Sequence, residues 1–273
     1  MWRALLFVVV IYALWLAFLW ISQDRLIFPG AYDRHRSTGF PKPPGAETWW
    51  LDTPGGSRTE AWFCTGAGRG ADAPGPLLVF AHGNAELIDD QLGLADHYVR
   101  LGFSVLLVEY RGFGRSTGRP SERGLVADFA AMLDRALRRP EVDAQRVIYH
   151  GRSLGGGVVA QLAARRPPAA MILESTFTSL ASMTGRYLAP PSLVRYPFRT
   201  DRVVARLDTP LLILHGTRDE VIPIANGRRL HQLAPGSAYV EFDAGHNDFP
   251  PDERAYWAVI DAFLGQHGLL PSH

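Results

Sequence analysis

Residues 146–157 read Arg146-Val147-Ile148-Tyr149-His150-Gly151-Arg152-Ser153-Leu154-Gly155-Gly156-Gly157, and this stretch decides the fold. Its first half is β-branched and aromatic, which reads as a strand over 146–150; from Leu154 the pattern becomes helical and runs to about residue 165. Between the two lies Gly-x-Ser-x-Gly. The flanking glycines let backbone pass close to a strained turn, so the Ser153 hydroxyl is expected to project from the carboxyl edge of a sheet at the start of a helix. Gly156 and Gly157 extend the small surface against neighbouring strands. A Gly-rich turn with a capping serine has the same letters, so the partners available to Ser153 decide between the readings.

Serine attacks a carbonyl only when a base takes its proton, and that base needs an orienting acid. Both follow in the order Ser, Asp, His used by sheets of this kind. Asp219 closes Leu211-Leu212-Ile213-Leu214-His215-Gly216-Thr217-Arg218-Asp219, and His246 lies in Ala244-Gly245-His246-Asn247-Asp248, each just beyond a strand-like run. His246 is expected to accept the Ser153 proton while Asp219 fixes its tautomer, with Glu220, Asp243 and Asp248 as alternative acids. Upstream, His82-Gly83-Asn84 follows another apolar run. The backbone N–H groups of Asn84 and Leu154 are the expected donors to the anionic intermediate, and His82 itself reads as structural.

Outward from these motifs, short apolar runs alternate with amphipathic segments, the pattern of a mostly parallel sheet covered on both faces. Strands are predicted at 47–52, 58–64, 76–81, 104–109, 146–150, 169–174, 210–215 and 238–242. Helices are predicted at 86–101, 121–138, 154–165, 225–233 and 252–266. The fold class is therefore α/β and doubly wound, with two antiparallel strands leading. Residues 176–207, with Pro190-Pro191 and several aromatics, fit no simple unit and read as a candidate small cap.

The amino end differs from everything after it. Residues 4–21 are uncharged and strongly apolar, and at about 1.5 Å per residue they extend roughly 27 Å, close to the hydrocarbon thickness of a bilayer. Bulky groups in Ala17-Phe18-Leu19 and Trp20-Ile21-Ser22 displace the small-residue cleavage pattern, so an uncleaved anchor is preferred to a cleaved signal peptide. Trp2, Trp15 and Trp20 suit the headgroup layers. Arg3 and the amino group before the run favour a cytoplasmic amino end and an external catalytic domain. The expected organisation is an anchor over 1–23, a Pro/Gly-rich connector over 24–46 containing Pro29-Gly30 and Pro41-Lys42-Pro43-Pro44-Gly45, and a catalytic domain over 47–273.

The 28 basic and 27 acidic residues nearly cancel, which speaks against nucleic acid as a partner. One cysteine, Cys64, excludes an intramolecular disulfide framework. Lys42 is the sole lysine in a chain rich in Arg, Ala, Gly and Pro, as in GC-rich bacterial genomes. His82, His150 and His215 each precede a glycine at a strand end, yet their spacing and the lack of a matching carboxylate make no metal site; neither metal nor cofactor is expected. Glu109-Tyr110-Arg111-Gly112-Phe113-Gly114-Arg115-Ser116 matches no nucleotide motif and reads as a loop buttressing the active edge. Arg152 is left open between meeting an anionic headgroup and pairing on the surface. Of the adjacent Trp49 and Trp50, which face opposite sides of a strand, at least one is expected in the core.

Together, Arg25-Leu26-Ile27-Phe28-Pro29, His82-Gly83-Asn84-Ala85-Glu86, Tyr110-Arg111-Gly112-Phe113-Gly114, Gly151 to Gly156, His215 to Asp219 and Gly245 to Asp248 resemble the α/β-hydrolase superfamily over about residues 25–268. The chain is similar in particular to its membrane-anchored branch, which includes protein depalmitoylases and lysophospholipid lipases. That resemblance implies an α/β-hydrolase fold with an eight-stranded, mostly parallel sheet plus an N-terminal transmembrane helix. It also implies a serine hydrolase acting on esters or thioesters of small molecules or lipids, set in a bacterial inner membrane with its catalytic domain on the periplasmic side. A peptidase or amidase would use the same triad, and a non-catalytic binding protein would keep the same fold. Oligomeric state is left open.

Overall fold

One sheet of eight strands organises the chain: β1 (Glu47–Asp52), β2 (Arg58–Cys64), β3 (Gly75–Ala81), β4 (Ser104–Val108), β5 (Val142–Arg152), β6 (Ala170–Glu174), β7 (Leu211–Gly216) and β8 (Ala238–Phe242). The computed structural model describes residues 1–32, 42–53 and 55–271. Part of the expected connector, 33–41 with Pro41, lies outside them. The strand order is β1-β2-β4-β3-β5-β6-β7-β8. β1 with β2 and β2 with β4 are antiparallel, and every pair from β4 onward is parallel. The expected leading antiparallel pair and the eight strands are therefore present.

Helices cover both faces, because a parallel strand buried on each side needs apolar residues at every position. In β3, Leu77, Val79 and Ala81 join a core with Phe129 of α3 (Glu122–Ala136), Val158 of α4 (Leu154–Ala163) and Leu230 of α6 (Ala225–Leu233). Leu78 and Phe80 point the other way, towards Tyr98 of α2 (Leu92–Arg100) and Tyr256 and Ile260 of α7 (Glu253–Gln266). Trp49 is buried and stacks on Phe63 at 4.6 Å, while Trp50 lies under the Arg58 guanidinium.

Most spans match expectation within two residues at either end, and two depart further. β5 begins at Val142, ahead of the predicted 146, because Val142 pairs with Gly75 across a register shift and the polar residues between mask the strand. The helix predicted over 86–101 splits into a 3-10 turn, Ile88–Gln91, followed by α2. The Asp90 carboxylate accepts the Leu87 N–H, a local bond that competes with α-helical pairing.

Helix α1 (Trp2–Ile27) carries a window of mean hydropathy 2.7 and is long and apolar enough to cross a membrane. The anchor boundary expected at 23 falls inside it. Asp24 and Arg25 remain helical, and the helix stops at Phe28, which Pro29 forces out of the α region. The chain then makes a 3-10 turn over Pro29–Tyr32 and packs Phe28 fully into the core. Between β6 and β7 the span read as a candidate cap consists of the 3-10 segments Leu180–Tyr187 and Pro191–Leu193 and the short helix α5 (Thr200–Val204).

Candidate active site

The carboxyl ends of β3, β5, β7 and β8 converge on one edge, since these strands run parallel. Ser153 stands at the β5–α4 turn with φ 53° and ψ −115°, a conformation that L-residues rarely adopt. The turn is this tight because a Cβ at Gly155 would overlap the Ala81 carbonyl of the neighbouring strand. The result is a nearly buried hydroxyl held at a helix start.

His246 Nε2 lies 3.0 Å from Ser153 Oγ, and its Nδ1 lies 2.7 Å from Asp219 Oδ2. The second Asp219 oxygen accepts the backbone N–H groups of Val221 and Ile222 at 2.9 and 2.7 Å, which fixes the carboxylate plane. His215 closes the far side of Asp219. Its Nε2 donates to the Ile222 carbonyl at 2.8 Å, and burial pushes its pKa below the usual histidine value, so it stays neutral beside the carboxylate. The structure thus brings Ser153, His246 and Asp219 into one chain of hydrogen bonds. Two of the three alternative acids are engaged elsewhere: Asp243 pairs with Arg218, and Asp248 accepts the Gly245 N–H.

Asn84 and Leu154 line the same cavity as Ser153, and among the described residues neither backbone N–H donates to a loop or turn carbonyl. The loop carrying Asn84 is braced from below. His82 is fully buried, with Nε2 2.9 Å from Glu109 Oε1 and Nδ1 2.8 Å from the Gly83 carbonyl. Burial alone would lower the His82 pKa, but the Glu109 charge and these hydrogen bonds raise it above 6.5. Tyr110 donates its hydroxyl to the His82 carbonyl at 2.6 Å, which ties in the Glu109–Ser116 loop as a buttress. Above, the Gly30 N–H donates to the Asn84 carbonyl at 3.2 Å. Pro29-Gly30 was expected only as a turn in the connector; it packs as part of the site.

Of the two readings left open for Arg152, pairing is the one observed, in a half-buried network: its Nη2 donates to the His246 carbonyl at 2.9 Å, its Nε lies 3.0 Å from the buried Glu174 carboxylate, and its Nη1 pairs with the partly exposed Glu86. Burial would raise the Glu174 pKa, yet hydrogen bonds and charge from His150, Arg152 and Tyr256 hold it below the usual carboxylate value. Arg152 therefore links the loop of Asn84, the turn of Ser153 and the backbone of His246. Sequence gave no sign of this, beyond an arginine inside the Gly-x-Ser-x-Gly motif.

The three strand-end histidines serve separate networks: His82 with Glu109, His150 with Tyr98 and Tyr256, and His215 with Ile222. Among the described residues no group of three or more His, Cys, Asp or Glu is placed to hold a metal. Cys64 is buried, which pushes its thiol up to about 11 and leaves it inert.

The Ser153 hydroxyl opens into a cavity of about 240 Å³ with apolar walls from three directions: Leu19 and Leu26 of α1, Leu180 and Met183 of the cap, and Phe177 and Ile222 behind. Among the described residues Arg186 is the one charged group in its lining, and its guanidinium donates to the Val221 and Glu220 carbonyls.

Comparison with known proteins places these features in context. A family model described as the α/β-hydrolase fold matches residues 76–208. An uncharacterised protein of Mycobacterium tuberculosis strain H37Rv is 34% identical, covering 93% of this chain and 91% of its own. The α/β-hydrolase domain-containing protein WAV2 of Arabidopsis thaliana is 32% identical over 92% of this chain and 90% of its own. Among solved structures, esterase 2 of Thermogutta terrifontis superposes with a TM-score of 0.68 at 18% identity, covering 85% of this chain and 98% of that one, a likeness of fold.

Proposed function

The chain belongs to the α/β-hydrolase family, and from that premise we propose that it is a serine hydrolase cleaving carboxylic esters or thioesters through an acyl-enzyme on Ser153. The observation that carries this reading is the unbroken hydrogen-bond chain Ser153–His246–Asp219 at the floor of an apolar cavity. In the first half-reaction His246 Nε2 takes the hydroxyl proton as Oγ bonds to the substrate carbonyl carbon. The anionic oxygen is held by the N–H groups of Asn84 and Leu154, and Asp219 balances the imidazolium. The bond to the leaving alcohol or thiol breaks, and that group departs with the proton from His246. Water then repeats the sequence against the acyl-enzyme, releasing the acid and restoring Ser153.

The apolar lining supports an acyl chain over a peptide, whose amide groups would find few partners there. Helix α1 serves as a membrane anchor in this reading. Arg3 and the amino terminus ahead of the apolar run support a periplasmic catalytic domain in a bacterial inner membrane.

A fluorophosphonate probe followed by peptide mapping tests the proposal. Labelling is expected at Ser153, with p-nitrophenyl ester turnover falling by at least about 10³-fold in Ser153→Ala. Undiminished turnover in that variant would end it.

A further inference from the structure

The cap and α1 are joined along a surprising length. Gln23 Nε2 donates to the Leu193 carbonyl at 2.9 Å and its Oε1 accepts the Arg195 N–H. Higher up, Trp15 Nε1 donates to the Tyr187 carbonyl at 2.8 Å, and the Tyr12 hydroxyl to the Leu188 carbonyl at 2.9 Å. Arg195 pairs with Asp24 and lies over the Trp20 ring at 4.5 Å, so charge and indole together mark the level of a polar border. Tyr12 lies about 12 Å beyond Trp20 along the helix, near the middle of the uncharged run. The cap tip is therefore set beside the part of α1 that is apolar on all sides.

The tip is built for such surroundings. Leu188 is 76% exposed and Tyr187 50% exposed, so both leave apolar surface uncovered. Irregular backbone survives in hydrocarbon only when its polar groups are satisfied. Here Leu188 N–H bonds the Gly185 carbonyl, Ala189 N–H the Thr184 carbonyl, and Leu193 N–H the Pro190 carbonyl. Pro190 and Pro191 have no N–H to satisfy. The carbonyls of Tyr187, Leu188 and Leu193 are those taken by Trp15, Tyr12 and Gln23. Arg186 reaches back to the Val221 and Glu220 carbonyls instead of towards α1.

The Ser153 cavity lies directly beneath this junction, with Leu19, Gln23, Leu26 and Ile27 of α1 forming one wall and the cap another. We propose that the cap tip around Leu188 is embedded in the lipid leaflet beside α1, and that the cavity takes a single long acyl chain of a lipid ester entering sideways from the bilayer between α1 and the cap. The substrate half of this rests on the serine-hydrolase reading above; the embedding of the cap does not.

Two measurements test it on the full chain in vesicles of phosphatidylcholine and phosphatidylglycerol. Since Cys64 is buried, Leu188→Cys supplies one accessible thiol for a nitroxide label, and Asp52→Cys, on a side chain 84% exposed, supplies a reference. The label at 188 is expected to collide with oxygen and be shielded at least 10-fold from a water-soluble nickel chelate relative to the label at 52. Equal access of the chelate to both overturns the embedded cap. In parallel, Met183→Trp fills the cavity, and the ratio of dodecanoyl to acetyl p-nitrophenyl ester turnover is expected to fall at least 10-fold. An unchanged ratio, with fluorophosphonate still labelling Ser153, overturns the acyl-chain pocket while leaving the serine hydrolase intact. Absence of both labelling and turnover in the unmodified protein strikes the hydrolase reading itself, and the nitroxide result still decides where the cap lies.

Discussion

Arg152 holds the carbonyl of His246, a residue far away in sequence, and so, in the proposed mechanism, sets the distance between base and nucleophile. Misplacement of a reacting group by about 1 Å costs on the order of 10²-fold in rate. Arg152→Met is accordingly expected to lower kcat by about 10- to 100-fold with KM changed by less than about 3-fold, and Arg152→Lys to recover part of the loss; steady-state kinetics on a short ester checks this. Ser153 itself stores strain, on the order of 1–3 kcal/mol for a non-glycine residue at such angles. Ser153→Gly relieves it and Ser153→Ala does not, so the glycine variant, though inactive, is expected to unfold at a higher denaturant midpoint than the alanine variant. Ser153, Asp219 and His246 were legible in the sequence because each follows a strand-like run and parallel strands bring such ends together. Arg152 was not legible: a side chain bonding a backbone carbonyl so far along the chain leaves no periodic trace.

At the scale of elements, the turn after α1 packs on the loop of Asn84, the proposed oxyanion donor. A Cβ at Gly30 would overlap the Phe113 ring and come within 3.2 Å of the Asn84 carbonyl oxygen. Gly30→Val is therefore expected to lower stability by about 1–3 kcal/mol and kcat by about 10-fold or more, as the overpacked turn shifts the Asn84 peptide. Thermal unfolding and ester kinetics on the same preparation separate the two effects. The spans of β1, β2, β8 and α6 agree with the sequence reading residue for residue, because Gly, Pro, Ser or Asp stands close to both ends of each. The start of β5 was hidden by Asp143 and Gln145, and the break before α2 by Asp90, where local polar bonds override periodicity. The docking of the cap on α1 was equally hidden, since it joins residues at opposite ends of the fold through single side chains.

For the molecule as a whole, the buried His82–Glu109 pair links stability to pH. The His82 pKa is raised above 6.5 in the folded state, so its protonation favours folding; that contribution is fully present below about 6.5 and fades as pH rises through the raised value. Urea unfolding of the parent protein and of Glu109→Gln is expected to differ most near pH 6 and to converge as the buffer becomes alkaline. A gap that widens with pH would contradict the assignment.

One wall of the reactive cleft is contributed by α1, a segment that no part of the central sheet encodes. The sheet on its own would inherit the reactive oxygen without inheriting a taste for any particular guest. In the proposed reading, exchanging this helix for an unrelated apolar one would therefore do more than change how the chain is held: it would rewrite which molecules fit.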